Sequence, residues 1–151
     1  MGLKEQIGED IKAAMKAKDK IRLNTVRNIK KCILDKEVEL RPSGQTELTP
    51  EQELALLSQL AKQRRDSIEQ FRAGGRDDLV EKEQAELAVL ETYLPAQLSE
   101  AEVVEIIDGI IAEVGAKTPK DMGKVMGIVM QRLKGQVDGK QVQGLVKSKL
   151  T

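Results

Sequence analysis

The segment DMGKVMGIVMQRLKGQVDGK, residues 121–140, carries the clearest helical pattern in the chain. Its apolar side chains recur three or four residues apart, as on one face of an α-helix; they are Met122, Val125, Met126, Val129, Met130 and Leu133. The opposite face is mostly basic and consists of Lys120, Lys124, Gln131 and Lys134. Gly123 and Gly127 lie beside this basic stripe. Because each glycine costs about 0.8–1 kcal/mol relative to alanine inside a helix, we expect another helix or a charged ligand to approach the backbone there.

The residue types that the chain lacks exclude several functional classes. The sequence contains no histidine, which excludes His-based catalytic triads and most zinc sites. Phe71 and Tyr93 are the only aromatic residues, so rows of base-stacking side chains are excluded as well. Cys32 lies among aliphatic residues, and we expect a small core side chain rather than a reactive thiol. We expect no metal site and no bound cofactor, and no catalytic constellation is visible.

The cellular compartment is also predicted from composition. No apolar run approaches the roughly 18–20 residues that span a bilayer. A single cysteine cannot form an intramolecular disulfide, and a reducing compartment is the simplest setting for such a chain. We therefore expect a soluble, cytoplasmic protein.

The formal net charge of zero hides an uneven distribution along the chain. Residues 1–46 carry a net charge of +4, residues 47–116 carry −10, and residues 117–151 carry +6. Two interpretations remain open. The charges belong either to solvated helix faces that balance one another, or to basic ends that bind an anionic partner.

The first part of the chain, residues 1–94, is expected to form an N-terminal bundle of about four helices. Asp19 and Thr49 are placed as N-caps of the second and third helices, and Thr49 has a glutamine at the capping-box position. Asp77 or Asp78 is the expected N-cap of the fourth helix.

The second part, residues 95–151, is expected to form a three-helix domain. Ser99 and Glu102 make a capping box that opens its first helix, and Asp138 caps its last helix. Since no segment shows the sustained alternation of a β-strand, the sequence predicts an all-α protein with two domains.

Two groups of basic residues are candidate anion sites. The first group runs along the end of the third helix and the Gly-Gly turn, close to several aspartates, and consists of Arg64, Arg65, Arg72 and Arg76. Local ion pairing and a phosphate-binding patch, with Arg65, Arg72 and Arg76 as its candidates, are both open. The second group is the C-terminal segment, in which eight basic residues face only Asp121 and Asp138. Without aromatic residues, such a surface suits phosphates and the shape of folded RNA.

The segment GQVDGK, residues 135–140, superficially resembles a phosphate-binding loop. It has three residues between its glycines where four are required, and Gln141 follows the lysine where serine or threonine is needed. We interpret Asp138, Gly139 and Lys140 as a helix cap, where a bound anion would relieve the unfavourable position of Lys140 on the helix dipole.

Two longer stretches, RDSIEQFRAGGRDDLVEKEQAELAVLETYLPAQLSE and TPKDMGKVMGIVMQRLKGQVDGKQV, resemble the YqeY family, and the resemblance implies a bacterial member of it. The resemblance covers nearly the whole chain and rests on FRAGGRDDL, YLPAQLS and DMGKVMG. It implies a cytosolic helical bundle followed by a domain similar to the tail domain of GatB. That protein is a subunit of the glutamine-dependent amidotransferase acting on misacylated tRNA, and its tail domain engages the outer corner of tRNA.

From this resemblance we expect a non-catalytic protein that binds tRNA or structured RNA through its C-terminal domain. The expected RNA-binding residues are lysines and glycines of the basic C-terminal segment: Lys117, Lys120, Gly123, Lys124, Gly127, Lys134, Gly139 and Lys140. Two alternatives stay open. One is an accessory factor or enzyme of amidotransfer, a carbon–nitrogen ligase with glutamine as amido donor, working with amidotransferase or tRNA-charging components. The other is a protein–protein interaction module.

Overall fold

The computed structural model describes residues 2–151, which form α-helices joined by short loops and contain no β-strand. The all-α prediction is therefore confirmed. The described helices are α1 (Leu3–Ala17), α2 (Lys20–Leu40), α3 (Pro50–Ala73), α4 (Asp77–Glu91), α5 (Glu100–Val114), α6 (Met122–Arg132) and α7 (Gly139–Leu150). Two short 3-10 helices, Arg41–Ser43 and Pro119–Asp121, complete the secondary structure. The chain divides into two compact units, of which the first ends at Leu94 and the second comprises Pro95–Thr151.

The first unit begins with a tight helical hairpin. Lys18 ends α1 in the left-handed conformation, with φ of 57°. Asp19 then caps α2, because its carboxylate accepts a hydrogen bond of 3.1 Å from the backbone N–H of Arg22. The predicted N-cap at Asp19 is thereby confirmed.

The junction between α3 and α4 differs from the prediction. Thr49 and Gln52 form the expected capping box at the start of α3. At the start of α4, however, Arg76 occupies the N-cap position and no side chain caps the helix. The assignment of Asp77 or Asp78 as N-cap is wrong: both aspartates lie in the first turn, where negative charge suits the helix dipole.

The core of the first unit is aliphatic and is supplemented by three polar ties. Its buried side chains are Ile7, Val26, Ile29, Ile33, Leu57, Ala61, Leu90 and Leu94. Lys4 of α1 pairs with the buried carboxylate of Glu37 on α2, at 3.1 Å. Burial raises the pKa of the half-buried Cys32 thiol, which agrees with an inert side chain.

The second polar tie of this unit joins α3 to α4. Arg64 lies 3.1 Å from Glu83 and 2.8 Å from Glu86, so one guanidinium neutralises two largely buried carboxylates. In the third tie, the phenol of Tyr93 donates a hydrogen bond to Asp10 of α1. These contacts join residues far apart in sequence and fix α1 and α3 against their neighbours.

The second unit packs α5, α6 and α7 around its own core. The buried side chains of this core are Val103, Ile107, Ile110, Val125, Val129, Leu133, Val142, Val146 and Leu150. Ser99 and Glu102 form the predicted capping box of α5, and Asp138 caps α7 by accepting from the N–H of Lys140 at 3.2 Å. Gly115 and Gly135 end α5 and the turn after α6 with φ of 67° and 81°.

The helices of the described part are also too short or too polar to cross a bilayer: none has the necessary length and apolarity.

Candidate nucleic-acid interface

Helix α6 buries one face and leaves the other open. Val125 and Val129 are completely buried, whereas Gly123, Lys124 and Gly127 are exposed. We call the exposed residues Gly123, Lys124, Gly127 and Gln131 the α6 face. Lys120 precedes this face and Lys134 follows it, and both side chains are exposed. The second unit thus presents a polar helix face with lysines along its length.

The two glycines of the α6 face have free space around them. A Cβ atom built at Gly123 or Gly127 meets no atom within 4 Å, apart from the helix backbone itself. No other helix of the second unit therefore covers these positions. Since alanine would fit at both sites and favour the helix, packing within this unit gives no reason for glycine.

The start of α6 is held by a local hydrogen-bond system. The carboxylate of Asp121 accepts from the backbone N–H groups of Lys117, at 3.0 Å, and Thr118, at 3.3 Å. These hydrogen bonds, together with the charge of Lys124, lower the pKa of Asp121 below its usual range. The carboxylate stays ionised and anchors the loop that exposes Lys117 and Lys120.

Ion pairing removes two cations from the basic segment. Arg132 pairs with Glu113 of α5 through a bidentate contact of 3.0 and 3.1 Å, and Lys149 lies 3.2 Å from Asp108. By contrast, five exposed lysines make no salt bridge to any described residue: Lys117, Lys120, Lys124, Lys134 and Lys147. The available positive charge is therefore concentrated on lysines at both ends of α6 and on α7.

The predicted residues at the start of α7 have a different environment. A Cβ atom built at Gly139 would lie 3.6 Å from Cε of Met130, so this glycine packs against α6 and is only partly exposed. Lys140 is exposed, and its backbone N–H is used by the Asp138 cap. Gly139 therefore does not share the open environment of Gly123 and Gly127.

Sequence reasoning missed one position on α7. Gly144 lies in the middle of this helix, is exposed, and has no atom within 4 Å of a built Cβ. The signal that singled out Gly123, a glycine inside a helical apolar pattern, was present here as well. Lys147, less than one turn further on, is also exposed.

The secondary arginine patch is mostly engaged in ion pairs. Arg76 makes two hydrogen bonds with the Asp78 carboxylate, at 3.0 and 3.2 Å, and Arg65 lies 3.7 Å from Glu91. Arg72 is exposed and makes no salt bridge with the described residues. Local ion pairing thus accounts for Arg65 and Arg76.

The site has no arrangement for holding a metal. Among residues 2–151 there is no group of three or more Cys, Asp or Glu side chains placed to bind an ion. What the described site offers is a set of exposed ammonium groups beside accessible helix backbone.

Fold and site together define a helical protein with two units and a lysine-bearing face on the second. The Yqey-like protein family matches residues 4–150, so the chain belongs to the YqeY family. Three relatives share the name "Altered inheritance of mitochondria protein 41, mitochondrial". The protein from Pyrenophora tritici-repentis is 36% identical over 138 residues, which cover 88% of this chain and 72% of the relative.

The other two relatives come from yeasts. The Lachancea thermotolerans protein is 36% identical over 114 residues, covering 74% of this chain and 59% of its own length. The Saccharomyces cerevisiae protein is 30% identical over 139 residues, covering 88% of this chain and 69% of its own. All three proteins are thus longer than their matched regions.

These names correct the cytoplasmic prediction. The relatives are named as mitochondrial proteins, which conflicts with a cytoplasmic assignment. The prediction failed because its physical basis was too general: a single cysteine and the lack of a long apolar run do not distinguish one reducing compartment from another. The relatives are also fungal, so they give no support to a bacterial origin.

Proposed function

We propose that the second unit binds structured RNA, with tRNA as the first candidate, through the α6 face and the lysines at its ends. One observation carries this proposal: Lys120, Lys124 and Lys134 are exposed without salt bridges, beside two glycines that have open space around them. A binding surface for a polyanion needs both features, free positive charge and room for a backbone to come close.

The chemistry of the face suits a phosphate backbone better than unpaired bases. Lysines neutralise phosphates and release counterions, which gives affinity without reading sequence. Base stacking needs aromatic side chains, and residues 95–151 contain none. A folded RNA presents phosphates and 2′-hydroxyls in a fixed shape, which a rigid helix face can match.

The choice of tRNA is supported by the resemblance of this unit to the tail domain of GatB. If tRNA binds, the alternative that the protein is an accessory factor of the amidotransferase can be tested next. The purified protein would be added to glutamine, ATP and misacylated tRNA, alone and with amidotransferase subunits. No change in product in either setting would remove the accessory role while leaving RNA binding untouched.

Filter binding of total tRNA at two salt concentrations tests the proposal. We expect the affinity to fall as the salt concentration rises. In the Lys120→Gln/Lys124→Gln variant, the slope of log affinity against log salt concentration should decrease by about two, because two fewer counterions are released. The matched control is Lys62→Gln/Lys82→Gln, which removes two exposed lysines that make no salt bridge in the first unit. Salt-independent retention, or equal losses in both variants, would contradict binding at the α6 face.

A second candidate function is favoured by the glycine spacing. Gly123 and Gly127 are four residues apart on an uncovered face, and small residues at this spacing let two helices approach closely. Under this alternative a partner protein, rather than RNA, occupies the α6 face. Pull-down after nuclease treatment separates the two functions. A protein partner that is retained without RNA, and that is lost in the Gly127→Leu variant, supports binding of a partner helix.

A further inference from the structure

A second exposed surface lies in the first unit, on the hairpin of α1 and α2. All four large hydrophobic side chains that are strongly exposed in the described chain belong to these helices. Leu34 and Val38, which are 43% and 55% exposed, lie one turn apart on α2, and Met15 on α1 is 54% exposed. Arg27 lies about two turns before Leu34 on the same side of α2, and its guanidinium contacts the Met15 sulfur at 3.9 Å.

A small recess adjoins this apolar surface. Lys4 and Ile7 of α1 line it from one side, and Lys30, Ile33 and Leu34 of α2 line it from the other. Its volume is about 50 Å³, enough for the end of one aliphatic side chain. The surface therefore offers an anchor point as well as exposed area.

The charges around the recess are mainly positive. Arg27, Lys30 and Lys31 make no salt bridge to a described residue. Glu37 is buried and already pairs with Lys4. Asp35, an exposed carboxylate of α2, lies one turn from Lys31 at the edge of this group, so the net charge of the group stays positive. We call Met15, Arg27, Lys30, Lys31, Leu34 and Val38 the hairpin face.

We propose that the hairpin face binds an acidic amphipathic helix of a partner protein. A helix can place one apolar side chain in the recess and others on Leu34 and Val38, with carboxylates against Lys30, Lys31 and Arg27. The segment from Arg27 to Val38 is about 17 Å long, which matches about three helical turns. The proposal is independent of the RNA-binding function, because it concerns different residues in the other unit.

Charge decides against a second copy of this chain as the occupant. Two hairpin faces brought together would oppose three cations with three cations, and Asp35 at the edge of each face would offset only part of this repulsion. A lipid surface is also disfavoured as the occupant. The recess fits a single side chain, and three exposed apolar residues give little depth for membrane insertion.

The test uses a fluorescein-labelled helical 15-residue peptide with leucines at positions i, i+4, i+7 and i+11 and glutamates beside them. Fluorescence anisotropy is measured with the full chain. We expect binding that weakens about ten-fold in both Leu34→Asp and Lys30→Glu/Lys31→Glu. The matched control, Lys62→Glu/Lys82→Glu, makes the same charge change on α3 and α4 and should stay within about two-fold of the wild type.

Three results would overturn the proposal. The first is equal binding of a scrambled peptide with the same composition, since a docking groove requires the apolar stripe. The second is binding of anionic phosphatidylglycerol vesicles that is lost in Leu34→Asp while peptide binding is unchanged, which would assign the face to lipid. The third is a dimer in sedimentation that Leu34→Asp dissociates. Circular dichroism of each variant shows whether it is folded. Leu34→Asp removes an apolar contact and Lys30→Glu/Lys31→Glu removes positive charge, so the two variants test the face independently.

Discussion

Arg132 on α6 holds Glu113 on α5 through two hydrogen bonds of 3.0 and 3.1 Å. The pair raises the pKa of Arg132 and lowers that of Glu113, so both groups stay charged and mutually satisfied. Arg132 therefore contributes less to the field around the α6 face than Lys124, which lies on the same helix without such a partner.

This difference gives a prediction within one helix. Lys124→Gln should weaken RNA binding by about three- to ten-fold, because it removes an unpaired cation. Arg132→Gln/Glu113→Gln removes the whole ion pair without changing the net charge, so this variant should weaken binding less. Filter binding at a fixed salt concentration compares them, and an equal loss for both variants would contradict the assigned face.

The glycines of α6 allow stability and binding to be separated. Gly127→Ala should raise the free energy of unfolding by about 0.5–1 kcal/mol, because alanine favours a helix and its Cβ meets no neighbour. The same variant should weaken RNA binding if the ligand approaches the backbone closely. Urea unfolding and filter binding on the same preparation give the two values.

Gly109 on α5 is the matched control for this variant. It also lies inside a helix and has no atom within 4 Å of a built Cβ. Gly109→Ala should stabilise the chain by a similar amount and leave RNA affinity unchanged. RNA affinity that is also unchanged in Gly127→Ala would show that close backbone approach is not required.

The Arg64 cluster predicts a strong stability effect in the first unit. Removing the guanidinium with Arg64→Ala leaves Glu83 and Glu86, whose side chains are only 14% and 11% exposed, without their cation. We expect a loss of about 2–3 kcal/mol in unfolding free energy. Arg72→Ala on the same helix removes an exposed arginine without a salt bridge and should cost less than about 0.5 kcal/mol. Chemical denaturation measures both.

Tyr93 predicts the alkaline behaviour of the first unit. Burial, then the hydrogen bond to Asp10 and the charge of that carboxylate, raise the pKa of the Tyr93 phenol above its ordinary value. The folded chain thus keeps a proton that the unfolded chain loses above about pH 10. The stabilising contribution is complete below that pH and declines as the pH rises further.

Ultraviolet titration measures this directly, because Tyr93 is the only tyrosine and the chain has no tryptophan. Phenolate absorbance should appear at a higher pH in the native chain than in urea. In Tyr93→Phe, the stability should decline less steeply above about pH 10. Coincident native and unfolded titrations would contradict the hydrogen bond.

The helices were predictable where their signals are local. Thr49 with Gln52, and Ser99 with Glu102, lie three residues apart, so the sequence contains the whole capping motif. The start of α4 was missed because Arg76 takes the N-cap position without a capping side chain. Ties such as Tyr93 to Asp10 join residues 83 positions apart, and no local pattern predicts them.

The candidate site was predictable to a similar degree. Periodicity identified the exposed side of α6, because its apolar residues recur without interruption. It gave no information on which cations are neutralised, since the partners of Arg132 and Lys149 lie on α5, 19 and 41 residues away. Nor does it show that Gly139 packs against α6, because its neighbour Met130 belongs to another helix.

The distribution of charge over the second unit has one more consequence. Residues 95–151 carry eight basic and seven acidic side chains, so their sum is close to neutral. Five of the acids lie on α5, where Asp108 and Glu113 are paired with Lys149 and Arg132. Once these two pairs are set aside, three acids remain on α5, whereas the lysines without a salt bridge lie between Lys117 and Lys147. Such a unit has an electric dipole moment despite its small net charge. An approaching polyanion would exert a torque that turns α5 away, so that the orientation of the encounter is selected before any contact forms.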